Sequence, residues 1–410
     1  MENNTDNKKP SFADDFKRRL KDIKTTRWIR FGIVAAIYIA WVIWMQSPVW
    51  LLGLILLFDI YITGYIPFTW WKHSKSKATR SVMSWVDAIV YALILVYFVF
   101  NFVGQNYQIP SSSLEKTLLT GDYLWVNKVT YGPRVPMTPV HFPLVHNTLP
   151  ILNCDSYLDH PSVEYRRLKG LRSVESGDIV VFNFPAGDTV STKLENSAEY
   201  YEMLVKRYGW AEVNSNKAMF GDIKYRPVDR RTNFVKRVVG MPGERISIKG
   251  DTIYINGKKQ LVPENAQFLY FALMSRPLSE EQCHELGIAL ADVQMVPSNR
   301  PEFGYTVDAM PAGNKTGSYL YQLPMTQAMI DSLKADGQLV NYLRWDGSAQ
   351  EYYLFPQGIA DIEQWTLADY GGDEGLLIPQ KGMTVELTPR NWLLYQRCIR
   401  NYEGHSDAEF

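Results

Sequence analysis

Three long apolar runs fall within residues 28–103, and no comparable run follows. They are WIRFGIVAAIYIAWVIWM at 28–45, VWLLGLILLFDIYITGYIPF at 49–68 and WVDAIVYALILVYFVFNFV at 85–103. A helix needs roughly 20 apolar residues to cross a bilayer core of about 30 Å. Lipid offers the backbone no hydrogen-bond partners, so a spanning segment must satisfy its own, as a helix does. The runs therefore predict three transmembrane helices. A polar segment, residues 1–27, precedes the first run and no small-residue cleavage site follows it, so the anchor is expected to stay attached.

Lys17, Arg18, Arg19, Lys21, Lys24 and Arg27 make the tail basic, as is the second connection, WKHSKSKATR at 71–80, whereas the first, QSP at 46–48, carries no charge. Positively charged short segments stay on the cytoplasmic side, which sends everything after Val103 to the outer side. Two acids interrupt the runs. Asp87 lies near the start of its run and reads as interfacial, while the more central Asp59 is expected to serve packing, since a proton relay needs a partner.

Over the whole chain the composition is that of an ordinary globular protein, 46% hydrophobic and 21% charged, and the zero formal net charge excludes the basic footprint of a nucleic-acid binder. Cys154, Cys283 and Cys398 lie far apart, and the six histidines never cluster at metal-ligand spacing, so no metal site is expected. After Val103 come short runs bounded by Gly-Asp or Pro-Gly: GDYLWVNKV, GDIVVFNFP, FVKRVVGMPGERISI and GDTIYINGKKQLV. These read as antiparallel strands, the last with an Asn256-Gly257 hairpin turn. Two insertions, about 186–230 and 260–380, are expected to be helical or mixed. The first holds Tyr200, Met203, Leu204 and Tyr208 at helical spacing; the second holds helices opening at Ser279 and Thr326. Near the end, GMTVELTP and the segment after it read as strands.

At the start of this outer region stands YQIPSSSLEK, residues 107–116, whose serines need a base before one can act as a nucleophile. His141, His146 and His160 lie in or just beyond a Pro-rich connection, with no Gly-x-Ser-x-Gly elbow, and nothing in the pattern asks for a histidine triad. A lysine can be the base if an apolar setting lowers its pKa. In NFVKRVVGMPG, Lys236 lies among Phe234, Val235, Val238 and Val239; strand alternation puts Phe234 and Val238 on its face and Arg237 on the other.

Together these stretches resemble the bacterial type I signal peptidases. The resemblance is carried by Ile109-Pro110-Ser111-x-Ser113, Thr117-Leu118-x-x-Gly121-Asp122, Val126-x-Lys128-x-x-Tyr131-Gly132, GDIVVF at 177–182 and VKRVVGMPGE at 235–244, in order and spacing, over much of residues 105–257. It implies a Ser/Lys dyad with Ser113 as nucleophile and Lys236 as general base. The Ser113 backbone N–H and the Ser111 hydroxyl would face the oxyanion, and Gln108, Ile109 and Pro110 would flank the substrate strand. It further implies secretory preproteins and the lipid bilayer as partners, no cofactor, and residence in a bacterial cytoplasmic membrane with the catalytic domain outside. The expected architecture is a basic tail (1–27), a three-helix anchor (28–103), a mainly antiparallel β catalytic core (104–257) and a mixed region (258–410).

Leu114 and Lys116 stand where the family usually has Met and Pro, and no Gly-Asp-Asn-Arg segment, with its following Ser and Asp-Ser-Arg, is present. That departure reads either as the front part of a longer peptidase or as a homologue that binds signal peptides without cutting them. A different class is also spelled out in order: Ser113-x-x-Lys116, Tyr254-x-Asn256 and Lys315-Thr316-Gly317, as in penicillin-binding acyl-enzymes. That chemistry wants Ser and Lys on one face of a helix start, whereas Pro110 precedes here and a strand is expected to follow.

Overall fold

The computed structural model describes residues 12–410 except 22, 153, 195–200, 251, 264, 346–353, 357–362, 404, 406 and 410. The chain divides into two compact units, one of residues 1–105, 125–173 and 225–231, the other of 106–124, 174–224 and 232–410.

The first unit begins with α1 (Phe12–Lys21) and α2 (Thr25–Met45). A broken helical run extends from Pro48 to Thr63, in which α3 (Gly53–Phe58) sits between a 3-10 turn and a π turn. Then comes α4 (Lys77–Phe98), extended by a π turn to Val103. Among the described residues, α2 and the 77–103 helix are long and apolar enough to cross a membrane, while the middle run is shorter than expected. Its shortening has local causes. Pro48 starts it, and the Asp59 carboxylate accepts from the Thr63 hydroxyl (2.6 Å) and from the N–H groups of Tyr65 (2.6 Å) and Ile66 (3.0 Å), ending the helix before residue 68. Asp59 thus serves as a structural cap, as expected of a lone buried acid. The run packs antiparallel to α2: Tyr38 donates to the Trp50 carbonyl at 2.7 Å, Gly53 leaves no room for a Cβ beside the Tyr38 ring, and Phe58 meets Phe31 and Trp28. The outward faces of the helices remain apolar and exposed, for example Ile37, Ile43, Ile89 and Tyr91.

From the helices the chain enters the hairpin of β1 (Gly104–Gln108) and β2 (Tyr123–Asn127). In the second unit β3 (Ile179–Asn183) is followed by β4 (Thr189–Ser191), by the helices α5 (Tyr201–Tyr208), α6 (Trp210–Ser215) and α7 (Lys217–Phe220), and by β5 (Ile223–Tyr225), which pairs with β4. Met203 and Leu204 are buried and Tyr208 packs on Phe220, as the spacing predicts; Tyr200 lies outside the described residues. Next, β6 (Asn233–Arg237) pairs antiparallel with β3 in the register Val180 to Lys236.

After β6 come β7 (Arg245–Lys249), β8 (Thr252–Ile255) and β9 (Lys258–Lys259), with Asn256 (φ 51°) and Gly257 (φ 74°) forming the predicted hairpin turn. The region expected to be a set of excursions is a body with its own sheet. It contains β10 (Phe268–Met274), α8 (Glu280–Leu286), β11 (Gln294–Val296), α9 (Pro301–Ala309), β12 (Tyr319–Met325), α10 (Gln327–Ala335) and β13 (Leu339–Arg344). Its strands run in the order β11-β12-β10-β13. Ala272, Met274, Leu323, Met325 and Ile330 fill its core. Ser279 and Thr326 cap α8 and α10 as their positions predict. Two short strands, β14 (Asp369–Tyr370) and β15 (Leu376–Leu377), then pair with β7.

The strand expectation fails after residue 380. GMTVELTP is irregular, and the next element is a helix, α11 (Pro389–Arg397), because Thr388 caps the Asn391 N–H and Pro389 occupies the first helical position. Helix α11 buries Leu394 and Tyr395 in a cluster with Leu354 and Trp365.

Candidate active site

Lys236 lies on β6, and the two-residue period of the strand puts it on the face of Phe234, whose ring centroid is 6.0 Å from Nζ. Phe234 is itself fixed from below, packing on Phe184 with centroids 4.6 Å apart and opposite Phe182 across the β3–β6 pair. Arg237 points elsewhere and donates to the Gly177 carbonyl at 2.9 Å. Burial lowers the Lys236 pKa from 10.5, and no charged neighbour contributes. The enclosure is shallower than an apolar run suggests: Lys236 stays exposed, because among the described residues β6 has a neighbour strand on one edge alone and the Phe234 ring covers only part of the lysine.

The serines sit on a loop pinned at both ends. Ile109 donates its N–H to the Asp122 carbonyl and accepts at its C=O from the Gly121 N–H, both at 2.9 Å, and Leu118 N–H bonds back to Leu114. Between these anchors Ser111 is extended and exposed, and Ser112–Leu114 forms a 3-10 turn that lifts Ser113 outward. Ser113 Oγ is 2.6 Å from Lys236 Nζ. That is the short end of the range over which a base takes a proton directly. The ammonium donates to the hydroxyl oxygen; the neutral amine can accept the hydroxyl proton in the same geometry. Of the three residues expected to flank a substrate, Gln108 and Pro110 are exposed, whereas Ile109 is buried and its backbone already paired. Strand alternation leaves the main-chain groups of Gln108 and the Pro110 carbonyl for the other edge.

Residues 82–286, half of the chain, match the family model described as "Signal peptidase, peptidase S26". The chain belongs to this family. The Ser113 loop and Lys236 both fall inside the matched range. Among curated proteins it is similar to signal peptidase I of Bacillus amyloliquefaciens, 24% identical over 192 residues, 47% of this chain and 58% of that protein. Signal peptidase I of Haemophilus influenzae is 27% identical over 176 residues, 43% of this chain and 38% of that protein. For signal peptidase I of Buchnera aphidicola the figures are 23% over 203 residues, 50% and 43%. The chain spans about half the length of the curated relatives it matches. No solved structure matches it.

The side chains of the other candidate chemistries are engaged elsewhere. His141 and His146 each commit a ring nitrogen to a backbone carbonyl, Thr138 at 2.8 Å and Arg231 at 3.2 Å, and burial lowers the pKa of both. The Ser-x-x-Lys reading fails on its lysine: Lys116 Nζ donates to the carbonyls of Leu286 (3.1 Å) and Gly287 (2.8 Å). Lys315 donates to the Asp308 carbonyl, and Asn256 turns the β8–β9 hairpin. Sequence reasoning missed what Lys116 does. The one signal was that it departs from the family's proline, and the backbone explains the departure: Lys116 has φ +67°, which a proline ring cannot reach.

Proposed function

We propose that this chain is a membrane-bound serine endopeptidase that removes N-terminal signal peptides from exported preproteins, with Ser113 as nucleophile and Lys236 as general base. The 2.6 Å approach of Lys236 Nζ to Ser113 Oγ carries the reading. Membership of the peptidase family and the lowered pKa of Lys236 support it.

In this mechanism neutral Lys236 takes the hydroxyl proton as Ser113 Oγ bonds to the scissile carbonyl carbon, and the carbonyl electron pair moves to oxygen. The Ser113 N–H and the Ser111 hydroxyl stabilise that oxyanion, donors of this kind being worth about 2.7 to 4 kcal/mol each. The Lys236 ammonium then protonates the departing amine, leaving an ester on Ser113. Water, deprotonated by Lys236, attacks the ester, and collapse returns the proton to Ser113 and frees the signal peptide. The preprotein segment would lie as an added strand along the Gln108–Pro110 edge, where main-chain pairing gives affinity without demanding large side chains.

We read the anchor as three passes. The run from Pro48 to Thr63 is about 24 Å long at 1.5 Å per residue, slightly short of a bilayer core. Its contacts nevertheless extend along α2 from Tyr38 to Trp28. Arg19 of the basic tail bonds the carbonyls of Thr63 and Gly64 and stacks on Tyr65, which favours a common, cytoplasmic side for the tail and the second connection. Residues beyond Val103 then emerge on the outer side, where a preprotein is delivered. In the same reading residues 1–27 are tail, 28–103 anchor, 104–257 catalytic core and 258–410 an added region.

The test is cleavage of a purified preprotein by the chain in liposomes. Loss of cleavage in Ser113→Ala, with unchanged circular dichroism, is expected; retention of full activity in that variant would overturn the assignment.

A further inference from the structure

Ser113 is also held from a second direction. Three residues after it, Lys116 takes a left-handed backbone conformation that non-glycine residues rarely adopt, and its side chain reaches the C-terminal end of α8, 170 residues away. There Gly287 (φ +63°) ends the helix, and Ile288 N–H folds back to the Cys283 carbonyl. The carbonyls of Leu286 and Gly287 receive Lys116 Nζ instead. A cation is favoured at that point, where unpaired carbonyls gather the negative end of the helix dipole. The fit is close, since a Cβ on Gly287 would strike Lys116 Nζ.

Helix α8 is a firm anchor. Its N-terminus carries a complete capping box on Ser279 and Gln282, and Cys283 and Ile288 are buried. Gln282 also bonds the fully buried Gln338 at 2.9 Å, tying the helix to the turn that leads into β13. Residues 268–344 therefore act through α8 as one body. The serine turn is also held by the backbone of Ile109, by its own backbone bonds to Ser112 and Leu114, by the Leu119 N–H donating to the Asp122 carboxylate at 2.9 Å, and by a 3.5 Å contact of Arg237 with the Thr117 hydroxyl.

We propose that Lys116 is a positioning residue, which by clamping the α8 C-terminus makes the 268–344 body the buttress that holds Ser113 Oγ against Lys236. The proposal rests on the Ser113/Lys236 reading. In a site where a displacement of about 1 Å can cost about 100-fold in rate, a loop freed on one side loses turnover before it loses substrate binding.

The test compares wild type, Lys116→Met, Lys116→Arg and Gly287→Ala, each as the full chain in liposomes, by preprotein cleavage and by amide hydrogen exchange. Lys116→Met should lower kcat about tenfold with KM within about twofold, Lys116→Arg should restore most of the loss, and Gly287→Ala should match Lys116→Met. Exchange should quicken over 111–118 while β10, β12 and β13 keep their protection. Unchanged kcat, unchanged exchange over 111–118, or loss of protection throughout the sheet would each overturn the proposal. If wild type itself cleaves nothing while Lys116→Met still quickens exchange over 111–118, the peptidase reading falls and the tether stands; without that change the tether falls too.

Discussion

Replacing Lys236 by arginine tests the proposed chemistry most directly, because it keeps a long cation on β6 and removes only the ability to give up a proton. Guanidinium stays charged at any ordinary pH. The wild-type amine sits 2.6 Å from Ser113 Oγ, at direct-transfer distance, so the variant should lose the whole contribution of the base. Proton transfer by a positioned side chain is worth about 10² to 10⁴ in rate, or about 2.7 to 5.5 kcal/mol of barrier at 1.36 kcal/mol per tenfold. The Ser113 N–H and Ser111 hydroxyl are untouched, so KM should change little. In wild type the sign of the pH dependence is set by burial, which destabilises the ammonium and lowers its pKa below 10.5. The neutral amine accumulates as pH rises, so kcat/KM should climb with pH with its midpoint below 10.5. Because desolvation rather than a charged neighbour sets the shift, the midpoint should move little with salt. Phe234→Ala, which admits water beside Nζ, should move it upward. The assay is preprotein cleavage in liposomes across pH. An arginine variant retaining most of its kcat, or a wild-type profile flat through the lysine range, would refute the lysine base.

Two further outcomes concern stability. Arg397 of α11 and Asp188 form an ion pair at 3.1 Å with side chains only 13% and 12% exposed, and Asn401 adds a bond to the same carboxylate. Arg397→Met should cost about 3 to 5 kcal/mol in denaturant titration, since it strands a buried charge, and adding Asp188→Asn should recover part of it. Lys128, tied to the Phe100 carbonyl and Gln105, has its pKa pushed down from 10.5 to about 8 by burial. Its folded pKa is the depressed one, so the burial penalty is full below pH 8 and disappears as pH rises towards 10.5. That fall corresponds to roughly 3 kcal/mol at 1.36 kcal/mol per pKa unit. Lys128→Met should therefore be more stable than wild type at pH 7 by up to that amount, less the lost hydrogen bonds, and the advantage should shrink between pH 8 and 10.5. An advantage that does not vary with pH would refute it.

The features legible in the sequence are those whose physics is local. Asn256-Gly257 specifies its turn because both residues tolerate positive φ, Ser279 and Thr326 cap helices because their oxygens reach the next turn, and alternation marks β2, β3, β6, β7 and β8. The serine and lysine were legible as residue types in their motifs. Local cues mislead where two patterns compete: Thr388-Pro389 signals a helix start, yet the apolar run before it reads as a strand. Asp59 shortens the second apolar run by a side-chain bond to a turn several residues on, which hydropathy does not register.

What only the tertiary structure decided is which distant groups meet. Ser113 and Lys236 stand 123 residues apart and come within 2.6 Å because two separate elements, a pinned loop and a strand in register with β3, converge. Lys116 looks like a trivial departure from a motif until α8 brings two carbonyls to its ammonium across 170 residues. How far an apolar neighbourhood covers Lys236 was likewise undecided by composition, since solvent access depends on which faces of the strand another element covers.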